Sequence, residues 1–226
     1  MKHSLIFCLF AGVMLGSAAT GTEIARKGAK LGQWSMDFEA SAALAKEKEL
    51  PMLINFTGSD WCGWCQIMDK NVLSKEDWLK FAEKNLVLVT IDFPQDTSIV
   101  PAAFVEGNKA LQAKFGVQGF PTYVLLEPDA QTELARLGAG QDKTPESFIG
   151  EVNDALRFRP ASIEAKAASL GERGQAYKDA IKNYQSAMDE LEAWIKTGPQ
   201  RSPENDKLYE GFQTKIAAAR KAIDAF

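Results

Sequence analysis

Asn55-Phe56-Thr57-Gly58-Ser59-Asp60-Trp61-Cys62-Gly63-Trp64-Cys65 is the stretch on which the reading of this chain turns. It begins inside a short, mostly apolar run, Met52 to Thr57, that reads as a central strand. Gly58 and Ser59 break the run. Two cysteines three positions apart follow, and the residues after them can continue a helix. In that setting Cys-x-x-Cys reads as a dithiol/disulfide switch. The spacing puts the thiols about one helical turn apart, near enough to close a disulfide. If a helix begins at or just after Cys62, its free amide hydrogens and dipole favour a thiolate there. A static surface disulfide or half of a metal site are the competing readings, and either leaves the setting of the motif unexplained.

Working outward, the N-terminus differs in kind. Lys2 and His3 precede an apolar run from Leu5 to Leu15, and small residues follow at Ser17, Ala18 and Ala19. This is the pattern of a secretory signal peptide over residues 1–19, and the run is short of the ~20 residues a membrane span needs. A retained anchor is the alternative. Phe7 argues against a lipid-modified Cys8, since such sites have a small residue before the cysteine. Removing the leader leaves Cys62 and Cys65 as the whole cysteine inventory and takes away His3, the single histidine. Ser-His-Asp and Cys-His catalysis are then excluded, a His-ligated metal likewise, and two cysteines alone make a poor zinc site. We therefore expect no metal and no cofactor. With 30 acidic against 26 basic residues the chain has no nucleic-acid footprint.

Residues 20–33 read as a flexible lead-in, with Trp34 and Phe38 as anchors onto the body. Ser41 to Lys48 favours a helix, ended by Pro51. Ser74-Lys75-Glu76-Asp77 resembles a helix start, with Trp78 and Phe81 on one face. Leu86 to Ile91 is a second buried strand closed by Asp92. Phe93 to Gly107 reads as a long loop with room for a helical turn, and Asn108 to Phe115 as a short helix. Pro121 introduces a third strand, Thr122 to Leu126. Pro128-Asp129 turns the chain, and Thr132 to Leu137 pairs back as a hairpin. Thr144-Pro145 caps a helix with Phe148, Ile149, Val152 and Leu156 on its buried stripe. This order predicts a three-layer α/β domain over 34–159 with a central mixed sheet, because the last two strands are joined too tightly for a crossover.

Pro160 marks a boundary, and 160–226 reads as a C-terminal helical extension. Tyr177, Ile181, Tyr184, Met188, Leu191 and Ile195 form one stripe, and Leu208, Phe212, Ile216, Ala219 and Ile223 a second. Two antiparallel helices packed on the body are the simplest solution, with a partner surface as the alternative. Oligomeric state is not legible.

The residues Asn55 to Cys65, together with Gly119-Phe120-Pro121-Thr122, resemble the thioredoxin superfamily over roughly Trp34 to Leu156. The similarity is to its secreted or periplasmic thioredoxin-like and disulfide-isomerase-like members. The resemblance implies Cys62 as the exchanging sulfur and Cys65 as the resolving one. It implies supporting roles for Trp61, Gly63, Trp64 and Pro121, with a cis bond after Phe120. It also implies a substrate groove at Phe120 and Gly138. One departure matters: the family commonly places a buried acid where Asn55 stands, and Asn55 cannot take the resolving cysteine's proton. Asp60 beside the pair would, if it faced Cys62, raise that thiol by like-charge repulsion. The expected activity is thiol-disulfide exchange on exported protein thiols and disulfides, in the periplasm or outside the cell. The missing acid leans the direction towards oxidation or isomerisation. Reduction fed by a membrane redox partner and a non-catalytic binding module are the alternatives.

Overall fold

The computed structural model of the chain describes residues 23–226. The leader read over 1–19, with Cys8 and His3, lies outside the described residues. Two six-residue strands, β2 (Met52–Thr57) and β3 (Val87–Asp92), are buried at every position and pair in parallel. Near-continuous apolar strands of this kind need cover on both faces of a sheet. β4 (Thr122–Leu126) runs antiparallel on the other side of β2, and β5 (Glu133–Gly138) closes the hairpin. A two-residue β1 (Trp34–Ser35) joins β3 in parallel, giving the order β1-β3-β2-β4-β5. The mixed sheet is the one the short hairpin connection implies.

Alternation along the strands sorts the core into two layers. Met52, Ile54, Phe56, Val89 and Ile91 face a cluster containing Phe115 and Val124, under α1 (Phe38–Lys48) and α4 (Ala102–Lys114). Leu53 and Leu88 face the other cluster, with Trp78, Tyr123 and Phe148, under α3 (Glu76–Asn85) and α5 (Pro145–Arg157). On this second face the same alternation continues as Asn55 and Thr57 on β2 and Thr90 on β3. The apolar layer therefore turns polar at the end of the strands where the cysteines sit.

α2 (Gly63–Met68) runs without a break into a π-helical turn, Asp69–Leu73, which buries Val72 and Leu73. The wider turn changes the next helix start. Ser74 spends its hydroxyl on the Asp69 carbonyl at 2.8 Å, so the helix expected to be capped there begins at Glu76 with no side-chain cap. The segment expected as loop through Gly107 is also partly helical. α4 begins at Ala102, behind Pro101, whose fixed φ suits a helix start. Gly107 disguised it. The described part of the expected flexible lead-in is hydrogen-bonded to the body: Ala25 pairs with Ser35, and the Gly28 amide donates to Asp37 at 2.9 Å.

Beyond α5 the extension carries one more helix than the expected hairpin: α6 (Pro160–Ser169), α7 (Gly174–Lys196) and α8 (Pro203–Asp224). Gly174 is required at the α6–α7 corner, where a Cβ would stand 2.3 Å from the Ala167 carbonyl oxygen. Tyr177, Ile181 and Ile223 bury together in a core of their own. That core seats on the end of α5: Phe158 stacks on Tyr184 at 5.0 Å, Arg157 pairs with Asp224 at 2.6 Å, and Arg220 pairs with Asp154. The apolar stripes are buried only near this joint. Met188, Ile195 and Leu208 towards the far tip stay exposed.

Candidate active site

The turn between β2 and α2 sets the site. Gly58 accepts the amides of Trp61 and Cys62 at 3.2 and 2.8 Å, folding the chain back over itself. The Trp61 ring then lies on Gly58 so closely that a Cβ there would come within 2.4 Å of it. Cys62 takes the N-cap position in extended geometry, and its Sγ accepts the Cys65 amide at 3.2 Å. A sulfur in that position receives the free amide and the positive end of the helix, which favour a thiolate over a thiol. Cys62 and Cys65 are joined as a disulfide with Cα atoms 5.2 Å apart.

The outward side of the pair is aromatic. Trp61 and Trp64 are about half exposed, at 46% and 48%. Trp61 is held by its indole N–H, which donates to the Phe93 carbonyl at 2.8 Å, and its edge meets the Phe120 ring at 5.9 Å. Phe120 stacks in turn on Phe93 at 5.3 Å, so a row of three rings borders the dithiol. The Phe120–Pro121 peptide bond is cis. Gly138 ends β5 opposite Thr122, and Gly63 opens α2; a Cβ at either would meet nothing within 4 Å. Phe93 belongs to this border and escaped the sequence reading, since only the fold brings it to Phe120.

Two nearby carboxylates are occupied elsewhere. Asp60 accepts the amides of Gln95 and Asp96 at 3.0 and 2.8 Å, and those amides hold its pKa below the ordinary value. Like-charge repulsion on Cys62, considered from its place in the sequence, is not what this side chain is arranged for. Asp92 accepts both the amide and the hydroxyl of Ser59, at 3.0 and 2.6 Å. These pairs clamp the loop after β3 onto the turn before α2.

The inward side mixes polar groups with Trp34, Ile24 and Leu73. A cavity of about 680 Å3 reaches Cys65 and not Cys62, and Asn55, Thr57, Thr90, Asp69 and Glu23 contribute to its lining. The Asn55 side-chain oxygen is buried without a hydrogen-bond partner among the described residues. A cavity of this size with hydroxyl, amide and carboxyl groups in its lining has room for water. Asp69 lines the cavity and is exposed, and partial desolvation raises its pKa. Burial, with the Asp69 charge second, raises the Tyr123 phenol above the ordinary range. Asp69 was missed in the sequence. The available signal was its place four residues after Cys65, one turn along the same helix face.

Among the described residues no group of three or more His, Cys, Asp or Glu side chains gathers to hold a metal ion. No helix among them is long and apolar enough to cross a membrane. A family model described as thioredoxin-like matches residues 33–128. "Disulfide bond reductase DsbH" of Chlamydia pneumoniae is 33% identical over 127 residues, covering 56% of this chain and 74% of that protein. "Thioredoxin-related protein DsbJ" of the same organism is 31% identical over 115 residues, 49% of this chain but only 31% of that protein. A solved structure titled "DsbH Oxidoreductase" superposes with a TM-score of 0.52 at 28% identity, covering 66% of this chain and 96% of its own.

Proposed function

Since the chain belongs to the thioredoxin-like family and is a thiol-disulfide oxidoreductase, we propose that it reduces disulfides of exported proteins, with Cys62 attacking and Cys65 resolving. The observation that carries the assignment of roles is the N-cap geometry. Cys62 alone receives the Cys65 amide and the helix terminus, so it is the sulfur best stabilised as a thiolate and best suited to attack or to leave. Cys65 is one turn further in, close enough to break the mixed disulfide that forms on Cys62.

The relative named as a disulfide bond reductase, which this chain matches over most of that protein's length, supports the reducing direction. Oxidation or isomerisation is the second reading, favoured by Asn55 in place of the family's buried acid. Trp61, Trp64, Phe120 and Pro121 form the border against which an extended client segment rests, with Gly63 and Gly138 leaving room for its backbone. The signal-like leader supports a periplasmic or secreted address and protein disulfides as substrates. A dithiol that works there as a reductant needs its electrons returned, and a membrane redox partner is the source we assign.

The test is the equilibrium of the leaderless protein with thiol buffers of known potential, read by the fluorescence of the tryptophans beside the disulfide. A reductase is expected near the thioredoxin value of about −270 mV. A potential near the about −120 mV of strong oxidants would overturn the reducing direction.

A further inference from the structure

We propose that Asp69, itself exposed, accepts the proton of the Cys65 thiol across the cavity that both residues line with Asn55, Thr57 and Thr90. The proposal rests on exchange at Cys62 and Cys65, but not on its direction. Four observations converge on it. Cys65 must become a thiolate to resolve the mixed disulfide, and it is 4% exposed, so its proton has no direct way out. The cavity touches Cys65 and not Cys62, so it serves the resolving sulfur alone. Asn55 lines it where the family commonly has an acid, and an amide cannot take a proton at neutral pH. Asp69 stands one helical turn beyond Cys65, its amide donating to the Cys65 carbonyl, and lines the same cavity while reaching solvent.

The other acids near the pair are committed. Asp60 and Asp92 hold backbone amides of the neighbouring loops. Around Asp69 the charged or titratable groups are Lys70 beside it, Glu23 in the same cavity lining and the Tyr123 phenol from β4. No charge from α3 or α5 contributes to its shift, which comes from desolvation. A carboxyl raised in this way is a stronger base than an ordinary one.

The chemistry balances in the reducing direction as follows. Cys62 has attacked a client disulfide and is joined to one client sulfur. Cys65 releases its proton through the cavity to Asp69, and its thiolate attacks the Cys62 sulfur. The Cys62–Cys65 bond forms as the Cys62–client bond breaks. The electron pair leaves on the client thiolate, which takes a proton from solvent, and Asp69 returns its proton to bulk water. Two electrons have passed from the dithiol to the client. In the oxidising direction the same steps run backwards, and protonated Asp69 supplies the proton to the departing Cys65.

Rapid mixing of the reduced protein with dithionitrobenzoate separates the two sulfurs. The first release of coloured thiolate reports attack by Cys62, and the second reports closure by Cys65. In Asp69→Asn, a nearly isosteric change, the second release should slow by at least about 10-fold at neutral pH and its pH midpoint should move up. The first release should keep the wild-type rate. Asp69→Glu should regain most of the second rate, and Glu76→Gln, at an exposed acid of α3 outside the cavity, should leave both unchanged. The proposal is overturned if the second release of Asp69→Asn matches wild type across about pH 5 to 9. It is equally overturned if both releases slow together, if Asp69→Glu gives no rescue, or if Glu76→Gln reproduces the defect. Failure of the wild-type protein to release any thiolate would instead overturn the exchange reading beneath it.

Discussion

The two sides of the Cys62–Cys65 pair differ in what they offer: exposed rings on one, hydroxyl, amide and carboxyl groups set among apolar side chains on the other. Outward of Cys62 stand exposed indoles and a row of stacked rings held by a backbone hydrogen bond. Inward of Cys65 the sheet presents Asn55, Thr57 and Thr90 to a cavity that ends at Asp69. Disulfide exchange needs both. The attacking sulfur must meet a peptide, which calls for shape and apolar surface. The resolving sulfur must lose a proton while buried, which calls for polar groups and a way out. With the roles proposed for the two sulfurs, a difference of three residues in sequence becomes a division of labour.

The contrast can be broken from either side. The largest stability effect lies under the inner wall. Phe148 is fully buried between Trp78 and Tyr123, with ring centroids 5.1 Å from each, and Phe148→Ala should cost about 3–5 kcal/mol in chemical unfolding. A loss below about 1 kcal/mol would mean that this core does not support the cavity floor.

A smaller effect, of opposite sign, is expected at Asp69. Its folded pKa is raised above the ordinary 3.8, so the unfolded chain gives up this proton first as pH rises. Stability is lost across the window from 3.8 up to the raised value. Asp69→Asn removes that cost. Its Tm should equal or exceed wild type at pH 7, and the gain should vanish once the medium is acidic enough to protonate both states. A variant that is less stable at pH 7 yet converges in acid would show a carboxylate that holds the fold together. The combination sought is a chain that melts no lower and resolves more slowly.

The smallest stability effect belongs to the outer side. Trp64→Ala, at a half-exposed position, should change stability by less than about 0.5 kcal/mol. It should instead raise KM for a protein disulfide while leaving reaction with a small disulfide unchanged. Equal losses towards both substrates would show that Trp64 acts on the cysteines and not on the client.

Much of this was legible in the residues. β2, β3, β4 and the hairpin announce themselves because continuous apolar runs and a tight turn admit few alternatives. The dithiol was legible because a Cys-x-x-Cys pair between strand and helix has few other uses. Leu53, Asn55 and Thr57 share one face by simple alternation, so the polar end of the inner core was written there too. What was hidden depended on longer-range contacts. α4 carries Gly107 and buries Asn108, whose amide donates to the Asp92 carbonyl at 3.3 Å, so its periodicity is weak. Asp60 finds its partners 35 and 36 residues away. Asp69 opens a π-helical turn, and its partners in the cavity come from three strands and the N-terminal segment. α6 is short, rich in alanine, and buries Ala167 alone among its residues, which gives a stripe too faint to separate from its neighbours.

Covalent trapping decides whether the two sulfurs are interchangeable. Leaderless Cys65→Ser and Cys62→Ser proteins are incubated with a defined protein disulfide such as insulin and resolved without reductant. The account predicts that Cys65→Ser accumulates a mixed disulfide through Cys62, while Cys62→Ser accumulates none and reduces insulin only at the uncatalysed background. Equal trapping by both variants, or trapping by Cys62→Ser alone, would contradict it.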